Sequence, residues 1–324
     1  MANIHYLPDE LLLRILSFVP QQDLESLANA SLRWHRVSRN RLQEHKRFRA
    51  QYRVVNFETQ PECHRFLSKA LLTDIAFYVE EVHLQTMEGG YGWKDLYEIP
   101  VDNLLLFRSA MESSPYIENG DVSVWMDELE YGDEDPVMAI LLPLLPNLHT
   151  LTLASTCQGG EMDFLSDVVG RIALDTACST AEANHPFRKL RTVDFLAYNE
   201  EHGHDLTIIA RFLALPSVRK ITAHCVSAYE SRLNICEDFR RDERLPLSQV
   251  DSCFFFSSNI SAKSLRLLMA AIEGPVSIVG EVEADIGMRL YKLSITRGMS
   301  EKSKAMQLES LDLDGYLLDR VGPP

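Results

Sequence analysis

Six short segments of this 324-residue chain share one spacing, in which three apolar residues are separated first by two positions and then by one. The last two apolar side chains of each segment lie two residues apart, so a β-strand would point both to the same face. Apolar residues at helical spacing lie between the segments, at 162–172, 206–213 and 265–272. Because one strand–helix unit cannot bury its apolar side alone, we expect the units to stack. The six segments begin at Val79, Leu148, Leu190, Val218, Leu290 and Leu308.

This spacing resembles the L-x-x-L-x-L strand of leucine-rich repeats, and the resemblance implies an irregular strand–helix solenoid over 54–324. A weaker segment begins at Leu247 and continues into Phe254, Phe255 and Phe256. The segments start 18 to 69 residues apart, whereas the usual period is about 20–29. The fold class predicted is therefore α+β to α/β, and an ordinary α/β sheet with irregular crossovers stays open as the alternative.

The first 53 residues predict a separate helical unit. Pro8 presets the first turn of a helix, and the acidic pair after it complements the helix dipole. Pro20 ends that helix, Asp23 is expected to cap a short second helix, and Ser31 is expected to cap a third. The stretch from Arg39 to Arg53 is basic and helical, which suits a solvated connecting helix, a rim for an acidic partner or a nuclear-import patch.

The first helix carries two apolar stripes side by side. One contains Leu11, Ile15, Phe18 and Val19, and the other contains Leu12 and Leu16. About forty residues offer little core in which to hide both. Either both stripes pack on the rest of the chain, or one is left for the groove of a partner.

The order of motifs in this unit resembles an F-box. It has the opening Leu-Pro, the paired aliphatic residues, the Pro-x-x-Asp-Leu in the middle and the Ser-x-x-Trp near the end. The resemblance implies a three-helix module that binds the Skp adaptor and, through it, a cullin–RING ubiquitin ligase of the SCF type. Asn29 and Ala30 depart from the usual aliphatic–Val pair. The adaptor contacts that it implies are Leu7, Pro8, Leu11, Ile15, Leu16, Leu24, Ser31 and Trp34.

Charge and cysteine content limit the classes of partner and the cellular locations that the chain is expected to have. The first 53 residues carry nine cations and five acids, so the net charge of −15 resides in an acidic body that disfavours a nucleic-acid partner. No apolar stretch is long enough to span a bilayer, and the start of the chain has no pattern of a secretory signal. The six cysteines have unrelated spacings, which predicts reduced thiols and a cytoplasmic or nuclear location.

Four local clusters have residue types that could carry chemistry, and each has a structural interpretation that we favour. The segment His202–Asp205 is predicted to be a solvated acidic loop rather than a metal site, because neighbouring ligands rarely close a tetrahedron. His224 and Cys225 are adjacent on a strand, which does not oppose a base to a nucleophile. The glycine-rich segment 89–93 is predicted to be a loop presenting Tyr91 and Trp93. The acidic run 127–135 is predicted to be a solvated loop, with a patch for a basic client as the alternative.

The sequence thus predicts a substrate receptor without catalytic, cofactor or metal residues. The body would bind a client protein with its concave face and with the loops after the strands, and so would bring the client to the ligase. The alternatives are a scaffold that uses the adaptor without a cullin, and an enzyme whose site the pattern does not reveal. The candidate client contacts are Ser155, Thr156, Tyr198 and Asn199.

Overall fold

The computed structural model describes residues 7–58, 60–84, 99–131, 135–154, 164–178, 185–197, 203–228, 248–260, 268, 276–283 and 289–297. Its amino-terminal unit is helical, with α1 at Asp9–Ser17, α2 at Leu24–Asn29 and α3 at Leu32–Tyr52. A short 3₁₀ helix at Gln21–Asp23 precedes α2.

The helix boundaries follow the predicted signals, with one exception. Pro8 has extended backbone angles immediately before α1, and Asp9 supplies an acid in its first turn. The hydroxyl of Ser31 accepts a hydrogen bond from the Trp34 amide at 3.2 Å, so the predicted cap of α3 is confirmed. The predicted cap at Asp23 is wrong, because this residue ends the 3₁₀ helix in α-helical geometry and its side chain bonds no amide of α2.

Helix α3 joins the amino-terminal unit to the rest of the chain. At its middle Leu42 completes a small core made with Leu16, Leu24 and Ala28. Near its end Tyr52 is buried in the main core, and Phe48 packs against that core. One continuous helix of 21 residues therefore serves both cores.

The remainder is an α/β arrangement built on one sheet. The strands are β1 Val54–Phe57, β2 Glu81–Leu84, β3 Thr150–Ala154, β4 Thr192–Leu196, β5 Lys220–His224, β6 Ser227–Ala228, β7 Ser252–Ile260, β8 Val276–Glu283 and β9 Arg289–Arg297. Their order in the sheet is β1-β2-β3-β4-β5-β7-β9-β8, with β6 beside β7. The first six strands in this order are parallel and follow the order of the chain.

The helices of the body form a layer on the sheet. They are α4 Gln60–Leu72, α5 Val101–Ser113, α6 Val122–Tyr131, α7 Asp135–Leu141, α8 Phe164–Cys178 and α9 Leu206–Leu213. Helices α4, α7, α8 and α9 pack against one another in the same order as the strands that they connect. Helices α5 and α6 lie in the long connection between β2 and β3 and pack on α4 and α7. Short 3₁₀ helices at Asp74–Tyr78 and Leu142–Leu144 lead into β2 and β3.

The apolar spacing seen in the sequence sets the register of the parallel strands. The second positions pair across β2 to β7, from Val82 through Leu151, Val193 and Ile221 to Cys253. The third positions pair in the same way, from Leu84 to Phe255. All of these side chains are buried in the main core with the helices. One face of the sheet therefore packs on the helical layer, which confirms the predicted strands at Val79, Leu148, Leu190 and Val218.

Three predictions about the strands need correction. The weak segment at Leu247 is displaced, because its true start is Val250, with Cys253 and Phe255 as the paired positions. The segment at Leu290 is a strand, but it runs antiparallel to β7 in a hairpin with β8. The strand β1 was not predicted, and it extends the same register through Phe57. The segment at Leu308 lies outside the described residues.

Candidate functional site

Helix α1 divides its apolar residues between the interior and the surface. Leu12 and Leu16 are each 2% exposed, whereas Leu11 is 45%, Ile15 37% and Phe18 78% exposed. Leu11, Ile15 and Phe18 recur at intervals of four and three residues, so they form one side of the helix. The expectation that both stripes pack on the rest of the chain is therefore wrong, and the expectation that one stripe is left for a partner stays a prediction.

The start of α1 is fixed by Arg33 of α3. Its guanidinium donates to the Asp9 carboxylate at 2.7 Å and 3.1 Å, and to the Leu7 carbonyl at 2.5 Å. Leu7 is half-buried, and Pro8 is exposed beside it. Charge-assisted bonds of this kind are stronger than neutral ones, so they hold the exposed stripe at a defined angle to α3.

Three of the residues predicted to contact an adaptor are buried in the chain itself. Leu16, Leu24 and Trp34 are 2%, 0% and 7% exposed, and Ser31 is half-buried as the cap of α3. Leu16 and Leu24 belong to the small core of the amino-terminal unit. Their predicted contact with an adaptor stays a prediction.

Two exposed apolar side chains were missing from the predicted contact set. Leu13 is 52% exposed on α1, and Leu32 is 91% exposed at the first position of α3. The position of Leu32 immediately after the predicted cap Ser31 is the signal that could have identified it. Phe18 belonged to the predicted stripe but not to the predicted contacts.

A groove runs between the amino-terminal unit and the body. It has a volume of about 440 Å³, and Phe18, Val19 and Pro20 face Phe77, Leu144 and Pro146 across it. Arg41 also lines the groove and donates to the Val19 carbonyl at 3.0 Å. The groove is therefore continuous with the exposed stripe through Phe18.

Polar contacts fix the two units beside that groove. Gln21 donates to Asp74 at 3.2 Å and accepts from the Tyr78 hydroxyl at 3.1 Å. The same hydroxyl lies 3.1 Å from Nδ1 of His45, whose Nε2 is 3.7 Å from Glu25. Burial, assisted by nearby arginines, lowers the pKa of His45 against the opposing effect of Glu25. The network is thus built around a histidine whose neutral form is favoured.

The second surface of interest is the sheet face opposite the buried register positions. Its central row runs in register through Asn56, His83, Thr152, Asp194, Thr222 and Phe254. Thr152 is 8% exposed, while Asp194 and Phe254 are half-buried. Nδ1 of His83 lies 2.9 Å from the Thr152 hydroxyl, so the polar side chains of neighbouring strands meet on this face.

The four residues predicted to bind a client, namely Ser155, Thr156, Tyr198 and Asn199, lie outside the described residues, as do Tyr91 and Trp93. Ser155 and Thr156 follow directly on β3, and Tyr198 comes shortly after β4. Their contact with a client therefore stays a prediction.

The loop predicted at His202–Asp205 packs into the fold where it is described. His204 is buried, its Nε2 lies 2.9 Å from the Leu196 carbonyl, and burial lowers its pKa. Asp205 caps α9 by accepting from the Thr207 amide at 2.8 Å. Both roles are structural, and the description of this loop as solvated is wrong for His204, since its ring packs edge-on against Phe195.

Cys225 does not have the environment of an activated nucleophile. Burial raises the pKa of its thiol, which disfavours the reactive thiolate at neutral pH. Among the described residues, no group of three histidine, cysteine or acidic side chains is placed to hold a metal ion. No helix within the described ranges is both long and apolar enough to cross a membrane.

Comparison with known proteins bears on the amino-terminal unit. Residues 4–49 match the family model of the F-box-like domain. The chain carries an F-box-like domain. Domains of this kind typically act as non-catalytic adaptor modules, and they generally bind the Skp adaptor of cullin–RING ligases. The match ends within α3, three residues before Tyr52, which is buried in the main core. No curated protein matches the chain.

Proposed function

We propose that the chain is a non-catalytic substrate receptor of an SCF-type ubiquitin ligase, active in the cytoplasm or nucleus. The F-box-like domain would bind the Skp adaptor, and the body would bind a client protein. The observation that carries the proposal is the apolar stripe Leu11, Ile15 and Phe18, which stays exposed on a domain whose own core is complete without it. Stable association would remove this stripe from water, which is favourable in proportion to the apolar area buried.

The body suits the second half of this role. Its parallel strands follow one another along the sheet in chain order, with the apolar positions in phase. This order supports an irregular leucine-rich-repeat-like solenoid, in which each unit contacts the next and one long face stays available to a partner. Holding a client and a ligase on one assembly raises the effective concentration of the client's lysines near the ubiquitin-loaded enzyme.

The test compares two matched pairs of exposed residues. Leu11→Ala with Ile15→Ala truncates the stripe, while Val101→Ala with Leu105→Ala truncates residues at the same spacing on α5, which are 71% and 61% exposed. Interface anchors lose about 1–2 kcal/mol each on truncation, so the first pair should weaken adaptor binding by about 30- to 1000-fold. The second pair should leave the dissociation constant unchanged.

Titration calorimetry of the full chain with purified Skp adaptor measures this difference. A folded wild-type chain that does not bind the adaptor at micromolar concentration would refute the proposal. Co-purification with tagged protein then separates the receptor from the alternative scaffold. The receptor should recover adaptor and cullin together, whereas adaptor without cullin would favour the scaffold.

A further inference from the structure

Among the described residues of strands β1 to β7, the open face has one acidic side chain that makes no ion pair with another described residue. Glu81 also lies on this face, but it is 3.6 Å from Arg53 and 3.8 Å from His83. Asp194, in the centre of β4, makes no hydrogen bond or salt bridge with a described residue, and its paired neighbours Thr152 and Thr222 are neutral.

Two stacked rings stand beside this carboxylate. His224 on β5 pairs with Phe256 on β7, and their ring centroids are 4.7 Å apart at an interplanar angle of 18°. This separation equals the spacing of neighbouring strands, so the rings stand upright side by side on the sheet. The face of His224 that Phe256 does not cover is therefore turned toward β4, where Asp194 and the 37% exposed Leu196 lie.

The charge of this patch is negative at neutral pH. Burial lowers the pKa of His224, and this effect outweighs the opposing influence of Asp194. The Lys220 ammonium on the same face lies toward the other end of the strands, 5.9 Å from the centre of the Phe254 ring. Lys292 of β9 is paired in register with Phe256, on the side of that residue away from Asp194 and three strands from it. Asp194 is thus left as a carboxylate next to an uncharged, flat aromatic surface.

We infer that this patch, formed by Asp194, Leu196, His224 and Phe256, binds an arginine side chain of the client protein. The inference rests on the proposed receptor function. A guanidinium suits the patch better than an ammonium, because it is planar, donates two parallel hydrogen bonds to a carboxylate and stacks on rings. An acidic segment or a nucleic-acid phosphate would meet the charge of Asp194 unfavourably.

Bead-bound octapeptide pools with one fixed central residue test the inference. Pools fixed as arginine, lysine, leucine or glutamate are incubated with the full chain, and an immobilised single-stranded oligothymidylate serves as the nucleic-acid probe. We expect the arginine pool to retain the most protein, and Asp194→Asn to lower that retention at least ten-fold. Asp102→Asn, which makes the same change on α5 at the start of the helical layer, should retain the wild-type level.

Further variants guard against loss of folding. Asp194→Glu should recover part of the retention because it restores the charge, and Phe256→Leu should lower it because it removes a stacked ring. Equal retention on the arginine and leucine pools, no retention on any pool, or preferential retention on oligothymidylate would overturn the inference. Adaptor binding measured on the same preparations is an independent readout, so the F-box-like domain can pass its test while the arginine site fails.

Discussion

Replacing His64 by leucine should remove a large part of the acid sensitivity of the chain. His64 lies on α4, is 1% exposed, and its ring stacks with Phe107 at a centroid distance of 6.3 Å. Burial lowers its pKa from 6.5 to about 4 in the folded chain. The unfolded chain keeps the ordinary value, so between these two values it binds more protons than the folded chain and acid favours unfolding.

The size of the effect follows from the two pKa values. Stability that depends on neutral His64 is fully present above pH 6.5, falls as the pH falls, and levels off below the folded pKa of about 4. Since one pKa unit corresponds to about 1.4 kcal/mol, His64 should cost about 1.4 kcal/mol at pH 5.5 relative to pH 7.5. At pH 4.5 the loss should reach about 2–3 kcal/mol.

Urea unfolding of the wild type and of His64→Leu at pH 7.5, 5.5 and 4.5 measures the loss directly. The free-energy difference between the two proteins should shift in favour of the variant as the pH falls, because leucine cannot be protonated. Other histidines with lowered pKa, such as His45 and His204, contribute equally to both proteins and cancel. A difference that stays constant over the three pH values would show that the His64 pKa is not lowered, and would refute the argument.

Three further predictions concern packing and capping. Gly203→Ala should lower the melting temperature by several degrees, since a Cβ at this position would lie 1.7 Å from the Cys225 carbonyl oxygen; an unchanged melting temperature would contradict this contact. Leu24→Ala should destabilise the F-box-like domain by about 2–5 kcal/mol in chemical unfolding, because Leu24 is fully buried. As a control, Leu32→Ala at a 91% exposed position should change the free energy of unfolding by less than about 0.5 kcal/mol. Ser31→Ala should cost about 1 kcal/mol through loss of the α3 cap, and Ser31→Asp should restore it.

The sequence predicted the parallel strands well because their signal is local and repeated. At Leu151, Val193 and Ile221 the spacing gives both the strand and the side that is buried, and hydrogen bonding then aligns equivalent positions. The first strand was missed because its first apolar position, Tyr52, still belongs to α3 and its middle position, Val55, is only half-buried. A short strand that directly follows a helix carries too few residues to show a period of its own.

The direction of a strand was beyond what the spacing could show. The segment at Leu290 has the same pattern as its parallel neighbours, and Ile295 is paired in register with Cys253. However, alternation of apolar side chains is the same in either direction, and a short connection to β8 selects the antiparallel hairpin. The pattern therefore predicts which face is buried but not which way the chain runs.

Of the two candidate sites, the one within a single helix was predictable from the sequence, and the one built from several strands was not. The exposed stripe of α1 was predictable, since helical spacing separates Leu11 and Ile15 from Leu12 within one element. The patch around Asp194 was not, because Asp194, His224 and Phe256 lie on three strands and up to 62 residues apart. Only the register of the sheet brings them together.

Helix α3 gives the proposed receptor a mechanical basis. Its Leu42 lies in the core that supports the α1 stripe, and its Tyr52 lies in the core that supports the sheet. Gln21 and His45 add hydrogen bonds to Asp74 and Tyr78 across the junction. The effective concentration of a bound client near the ligase is high only when the distance between the two binding surfaces suits both partners. A shared helix with hydrogen bonds across the junction fixes that distance better than a flexible linker of equal length. The proposed function thus requires a rigid connection as well as two surfaces, and α3 has the contacts to provide it.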